Sequence, residues 1–150
     1  MLLPDEAATE ALGSGLASIL HPGDVVALSG DLGAGKTTLA RGILTALGLE
    51  EEAPSPSFAI VQPYDVPEVR LPVWHVDLYR LEEASDAEEL GLEEARDYAV
   101  LLIEWPERLG SALWSDALRL RLEIAEGGAR RLTADVPPAW EGRWPPDRSR

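Results

Sequence analysis

The sequence predicts a three-layer α/β domain with a mainly parallel central sheet, extended at its C-terminal end by an antiparallel hairpin. Three observations carry that expectation. Short apolar runs at 24–29 and 100–104 read as strands buried on both faces, as parallel strands are. A glycine-rich turn and then an amphipathic run follow the first of them, making a strand–loop–helix unit. Near the other end, Leu118, Leu120, Leu122 and Ile124 alternate with Arg119, Arg121 and Glu123, and Gly127-Gly128 turns the chain into a second run over 130–136.

Taken in order, residues 3–20 read as a helix. Ala8, Leu12, Leu16 and Ile19 share a face and Pro4-Asp5-Glu6 suits a first turn, although Gly13 and Gly15 weaken the run. His21-Pro22-Gly23 is a surface turn into the strand at 24–29. Leu39, Ile43, Leu44 and Leu47 then recur at helical spacing from Thr38 onward, with Gly48 where a C-terminal cap belongs. Residues 50–57 are polar and twice interrupted by proline, hence irregular; 58–62 is a strand candidate and 64–72 an irregular connection. A strand over 73–78 leads into an acidic helical region around Leu90-Gly91-Leu92. The run at 100–104 is the most apolar strand and closes on Glu104, after which 105–109 turns away. The proline-rich tail over 137–150 reads as a loosely held appendage to a domain over 1–136, with Trp140 and Trp144 free to pack on the body or on a partner.

Composition bounds the function. A chain of 150 residues, 45% hydrophobic, is one domain with a substantial core. No apolar run of about eighteen residues and no basic-then-apolar leader is present, which points to the cytoplasm and away from a membrane. With no cysteine and two histidines, thiolate and histidine-rich metal sites are excluded. Thirteen basic against 27 acidic residues give a formal charge of −14, which opposes any broad footprint on nucleic acid. Half of that charge sits between Glu82 and Asp97, where eight acids face one base, Arg96. That stretch reads either as a solvated helical face or as a docking surface for a basic partner.

The glycine-rich turn is the most specific feature. Gly30 and Gly35 are four residues apart, and Lys36-Thr37 follows at once, the complete phosphate-loop pattern. Gly30, Gly33 and Gly35 let backbone N–H groups approach a polyphosphate and let the turn visit positive φ. The loop then opens a helix, whose unpaired N–H groups and positive dipole end face the phosphates. Asp31, Gly33, Ala34, Gly35, Lys36, Thr37 and Thr38 are therefore the candidate nucleotide-binding residues. Lys36 would reach the β- and γ-phosphates, and the Thr37 hydroxyl would bind the bridging Mg²⁺.

Turnover also needs a carboxylate on the metal side. Four apolar residues ending in an acid at a strand terminus is the expected form, and parallel strands line up their C-termini where the phosphate loop sits, so Glu104 would face the Mg²⁺. Asp77 is the second acid: it ends a strand that His75 interrupts, and it reads equally well as the cap of the next segment. Arg80 and Arg108 are candidate arginine fingers or ordinary surface arginines. Trp105 reads as packing or as part of a switch.

These stretches together resemble a known family. Gly30 through Thr38, Ser55-Pro56-Ser57-Phe58, His75-Val76-Asp77-Leu78-Tyr79-Arg80-Leu81, Leu90-Gly91 and Ile103-Glu104-Trp105-Pro106-Glu107 occur in the order and spacing of the bacterial TsaE (YjeE) ATPases, a likeness running from about Thr9 to Arg131. The resemblance implies a P-loop NTPase fold and a cytoplasmic, Mg²⁺-dependent ATPase. In that family the ATPase joins TsaB and TsaD in forming threonylcarbamoyladenosine in tRNA, TsaD performs the transfer, and ATP hydrolysis sustains turnover of the complex. Carried over, Lys36 holds phosphate, Thr37 and Glu104 hold the metal, and Asp77 is the required aspartate near the γ-phosphate. Residues 55–58 and 77–80 are nucleotide-sensitive loops, and Thr9 lies where the N-terminal segment approaches the adenine. The family usually has threonine at the position of Ser57, which keeps the hydroxyl. Given the acidic balance, tRNA contact would come only through the TsaB and TsaD homologues.

Two other classes compete. A small-molecule or nucleoside kinase would need an acceptor pocket and an arginine-rich lid, whereas the stretch after Asp77 is acidic. A nucleotide-gated binding module would need no turnover. The guanine-reading pattern Asn-Lys-x-Asp is absent, which favours ATP over GTP.

Overall fold

The computed structural model describes residues 1–51 and 60–146. Among the described residues seven strands form one sheet in the order β1-β7-β6-β2-β5-β4-β3. At its centre β2 (Val25–Ser29) lies parallel to both β5 (Val100–Glu104) and β6 (Leu118–Ile124), and β5 is parallel to β4 (Val73–Asp77). The edges are antiparallel: β3 (Val61–Tyr64) against β4, β7 (Arg130–Asp135) against β6, and β1 (Leu2–Leu3) against β7.

The apolar runs of β2 and β5 are continuous because each face of the sheet carries its own core. Val26, Leu28, Val100 and Leu102 point into one cluster with α1 (Glu6–Ala17) and α2 (Lys36–Ala46). Val25, Leu101 and Ile103 point the other way, against Leu78, Leu92 and Leu109. The result is the expected three-layer arrangement with a mainly parallel centre and the antiparallel C-terminal hairpin β6–β7.

Several boundaries differ from the expectation, each for a local reason. Leu3 is in a strand, not a helix: the residue before a proline is pushed toward extended backbone, and Asp5 then caps α1 by accepting the Ala8 N–H at 2.8 Å. The helix stops at Ala17 rather than at 20, with Ser18 as its cap. Gly13, which weakens α1 on propensity, is required by packing. A Cβ there would sit 2.9 Å from the backbone of Leu39 and Ile43, and one on Gly42 would sit 3.0 Å from Glu10 O, so α1 and α2 touch backbone to backbone. At its far end α2 closes as expected, with Gly48 at φ 114° and its N–H donated to Thr45 O, while Leu49 N–H reaches Leu44 O. The strand expected over 58–62 is observed as β3, beginning at Val61; residues 58 and 59 lie outside the described residues. Pro63 is tolerated there because β3 is an edge.

The acidic stretch is not one helix. A 3₁₀ segment, Ala84–Leu90, is followed by Gly91 at φ 75° and a single α-turn, α3 (Leu92–Ala95). Over its described part the tail takes the first of the two placements open to its tryptophans and packs on the body. Trp140 is 1% exposed within the core cluster, and its indole N–H donates to Asp116 O at 3.1 Å. Arg143 grips both carboxylate oxygens of Asp24, at 2.7 and 3.1 Å, and lies 4.1 Å above the Trp140 ring. No helix among the described residues is long and apolar enough to cross a membrane.

Because Trp140 fills the core rather than trailing in solvent, Trp140→Ala will cost about 3–5 kcal/mol in urea unfolding followed by circular dichroism. An unchanged midpoint would mean that the segment after 136 is dispensable.

Candidate functional site

The parallel register places three strand ends side by side. Leu28 of β2 is level with Glu104 of β5, and Glu104 with Asp77 of β4. The chain leaves β2 through the loop 30–35 and enters α2 at Lys36, so the loop, the helix start and both acids converge at one edge of the sheet.

Backbone geometry sets the loop. Gly30 has φ 143°, and a Cβ there would lie 2.4 Å from Leu122 O, so no other residue fits. Gly35, at φ 107°, precedes α2, and among the described residues no side chain caps that helix, leaving its first N–H groups to the cleft. The Lys36 ammonium donates to Gly30 O at 2.5 Å and rests 3.6 Å from the centre of the Trp105 ring. Trp105 reaches it because its own backbone is left-handed, φ 60°, directly after Glu104. Burial pulls the Lys36 ammonium below the usual lysine range, against the opposing pull of Glu104, Glu107, Asp77 and Asp31.

Glu104 is the centre of the arrangement. Its carboxylate is 3% exposed and accepts the Thr37 hydroxyl at 3.0 and 3.2 Å. On its other side, His75 Nε2 lies 2.6 Å from Oε2. His75 is fully buried and its Nδ1 has no partner among the described residues, which favours a tautomer with the hydrogen on Nε2: a bare acceptor is less costly to bury than a bare N–H. Beside Glu104, Asp77 is 8% exposed and accepts the Tyr79 N–H at 2.9 Å. Burial, the largest influence, raises its carboxyl above the usual aspartate range, the Tyr79 hydrogen bond opposes that, and the neighbouring Glu104 adds to it. Asp77 therefore both turns the chain and faces the cleft, joining two roles that the sequence left as alternatives.

These groups line a cleft of about 540 Å³. Of the residues expected at the site, Thr9, Gly33, Gly35, Lys36, Thr37, Thr38, Asp77 and Glu104 all border it, with Thr9 contributed by α1. Two do not. The Asp31 side chain is exposed, although its carbonyl closes the loop by accepting the Ala34 N–H at 3.0 Å, and Ala34 turns its methyl into the core. Arg80 borders the cleft, whereas Arg108 stands 5.9 Å from the Tyr79 ring outside it. The expected loop at 55–58 lies outside the described residues. Sequence reasoning missed His75 as a partner of Glu104; its signal was a polar residue inside an otherwise apolar strand. It also missed Arg130, which donates to the loop carbonyls of Gly33 and Ala34 at 3.1 Å each.

Two charges are thus held here at a cost to the fold. Asp77 is bound less readily as a carboxylate when folded than when unfolded, so the stability it confers is present at low pH and lost as pH rises through its raised value. Asp77→Asn, which keeps the oxygen that accepts the Tyr79 N–H, will raise the urea midpoint of the nucleotide-free protein at pH 7–8. The gain will vanish below the ordinary aspartate range; a variant less stable at pH 8 would refute the assignment.

Comparison with known proteins agrees with this geometry. A family model described as threonylcarbamoyl adenosine biosynthesis protein TsaE matches residues 3–132. The TsaE protein of Streptomyces coelicolor is 43% identical over 140 residues, covering 83% of this chain and 95% of that protein. That of Bacillus subtilis is 37% identical over 131 residues, covering 87% and 79%. The crystal structure of Bacillus subtilis YdiB superposes with a TM-score of 0.79 at 29% identity, covering 95% of this chain and 88% of that one. With a phosphate loop and two strand-end acids on this sheet, and a family match across most of its length, the chain belongs to the TsaE family.

Proposed function

We propose that the protein is the ATP-hydrolysing member of the machinery that forms threonylcarbamoyladenosine in tRNA, working in the cytoplasm beside homologues of TsaB and TsaD and sustaining their turnover. One observation carries the reading: the Thr37 hydroxyl and the Glu104 carboxylate, 67 residues apart, meet at 3.0 Å at the mouth of the phosphate loop.

That pair fits Mg²⁺. Both are hard oxygen donors, and this ion keeps most of its waters and takes one or two protein ligands rather than a full cage. Among the described residues no three His, Cys, Asp or Glu side chains gather into such a cage. When bound, Mg²⁺ supplies neutralisation of the charge on the β- and γ-phosphate oxygens. The remaining roles fall to the chain. The loop N–H groups and the start of α2 bind the phosphates, and Thr9 borders the cleft toward the base. Lys36 exchanges its hold on Gly30 O for a phosphate oxygen. Asp77, whose Oδ1 is engaged by Tyr79, turns its other oxygen to the attacking water and accepts its proton, a task its raised pKa suits. His75 holds Glu104 in the orientation that faces Thr37. With 27 acids against 13 bases, contact with tRNA runs through the partners.

Purified protein will hydrolyse ATP slowly, releasing free phosphate, and adding the TsaB–TsaD pair will raise the rate by an order of magnitude or more. Glu104→Gln will lower the stimulated rate about 100-fold while leaving metal-free ATP binding within a few-fold of wild type. A fast rate that the pair does not alter would overturn the partner-dependent reading, and transfer of label to a small acceptor would replace it with a kinase.

A further inference from the structure

The hairpin β6–β7 carries neither Asp77 nor Glu104 and none of the three loop glycines, so the chemistry above leaves it without a task. We propose that Arg130, the first residue of β7, is a positioning residue that holds the phosphate loop in its anion-receiving conformation. The inference rests on the reading of the cleft as a nucleotide site.

The guanidinium spans two pieces of backbone. Nε donates to Ala34 O at 3.1 Å and Nη2 to Gly33 O at 3.1 Å, while Nη1 donates to Gly128 O at 2.9 Å and to Ala129 O at 3.1 Å. One side of the fork grips the loop and the other grips the hairpin turn. A loop that turns successive N–H groups inward toward an anion must turn carbonyls outward, because each peptide is planar. Outward carbonyls in a glycine-rich turn have no ladder to join. Arg130 supplies donors to two consecutive ones and thereby opposes the peptide rotations by which such a loop collapses when empty.

The anchor is firm. Arg130 pairs with Ile124 across the hairpin, and β6 is in turn parallel to β2, the strand from which the loop departs. The hairpin meets the loop at its start as well, where Leu122 O closes on Gly30. The loop is therefore held at both ends by the same two strands. Arg130 and Gly128 also border the cleft. Lysine cannot substitute, since a single ammonium on a flexible stem cannot bridge two loop carbonyls while bound to the turn.

Metal-free ATP titrated calorimetrically into the full chain tests this, with wild type, Arg130→Lys and Arg130→Ala compared alongside thermal melts and amide hydrogen exchange over 30–35. Both variants are expected to bind ATP about tenfold more weakly, the net worth of one charged hydrogen bond, and to exchange faster in the loop than in β2. Lysine restoring affinity to within twofold of wild type would overturn positioning in favour of simple charge. Unchanged affinity with a lowered melting temperature would reduce Arg130 to a brace for the hairpin. If the alanine variant does not fold, the lysine variant decides on the same criteria. Absence of ATP binding by wild type would overturn the nucleotide reading and this inference with it, whereas wild-type binding with unaffected variants overturns this inference alone.

Discussion

A buried carboxylate at the end of a buried strand is the constraint on which the rest of the molecule turns. Glu104 closes β5 with its side chain almost fully out of water, and an unpaired charge there would cost several kcal/mol. Its partners come from two other elements: Thr37 from the first turn of α2 and His75 from the middle of β4. Satisfying one acid therefore fixes the placement of α2 and β4 against β5, and the parallel register does the rest by bringing Asp77 level with it. The fold and the site are not separable here. The same hydrogen bonds that make the acid tolerable also aim it at the phosphate loop.

How much of this was legible depended on whether the signal was local. The phosphate loop, the strands before and after it and the hairpin are each written in a few consecutive residues, and each was readable. So was Glu104, because an acid closing four apolar residues contradicts its own strand unless it has work to do. His75 carried the same contradiction within Val73–Asp77, but its meaning depends on a residue 29 positions away. Arg130 gave no contradiction at all: arginine in an alternating strand reads as solvent-facing, and its targets lie 96 and 97 residues earlier. The two-residue strand β1 exists only because β7 offers it an edge, and Gly13 looked like a flaw in α1 until α2 lay against it. In the acidic stretch, glutamate and alanine favour a helix, yet Gly91 in the left-handed region divides the segment in two. Trp140 was placed in a tail by the prolines around it, although a tryptophan that finds an apolar pocket and a carbonyl for its N–H outweighs them.

The cleft is assembled from groups that are individually unfavourable. Burial disfavours the ammonium of Lys36 and the carboxylate of Asp77, and Trp105 occupies a left-handed backbone conformation that a bulky residue rarely adopts. Such costs persist where surrounding structure over-determines them, and here the sheet register and the two cores do so. Lys36, Asp77 and Trp105 all border the same cleft, while Ile60, at φ 54°, carries a similar backbone cost outside it. A protein selected for stability alone would have no reason to keep them together.

The same concentration ties the cleft to the outer layer of the domain. Trp105 follows Glu104 and Tyr79 follows Asp77 by two residues, and their rings meet at 5.0 Å, with Lys36 against the Trp105 ring. Each ring heads one of the two segments, 105–112 and 78–90, that cover the second face of the sheet. Lys36 at present fills its bonds with Gly30 O and the Trp105 ring, both of them internal. An anion that draws the ammonium away removes the cation from beneath that ring, and the loss falls on the junction of both segments at once. Five of the eight acids of 82–97, namely Glu82, Glu83, Asp86, Glu88 and Glu89, lie on one of those segments. The Trp105 and Tyr79 rings thus join Lys36 to the first residues of both segments.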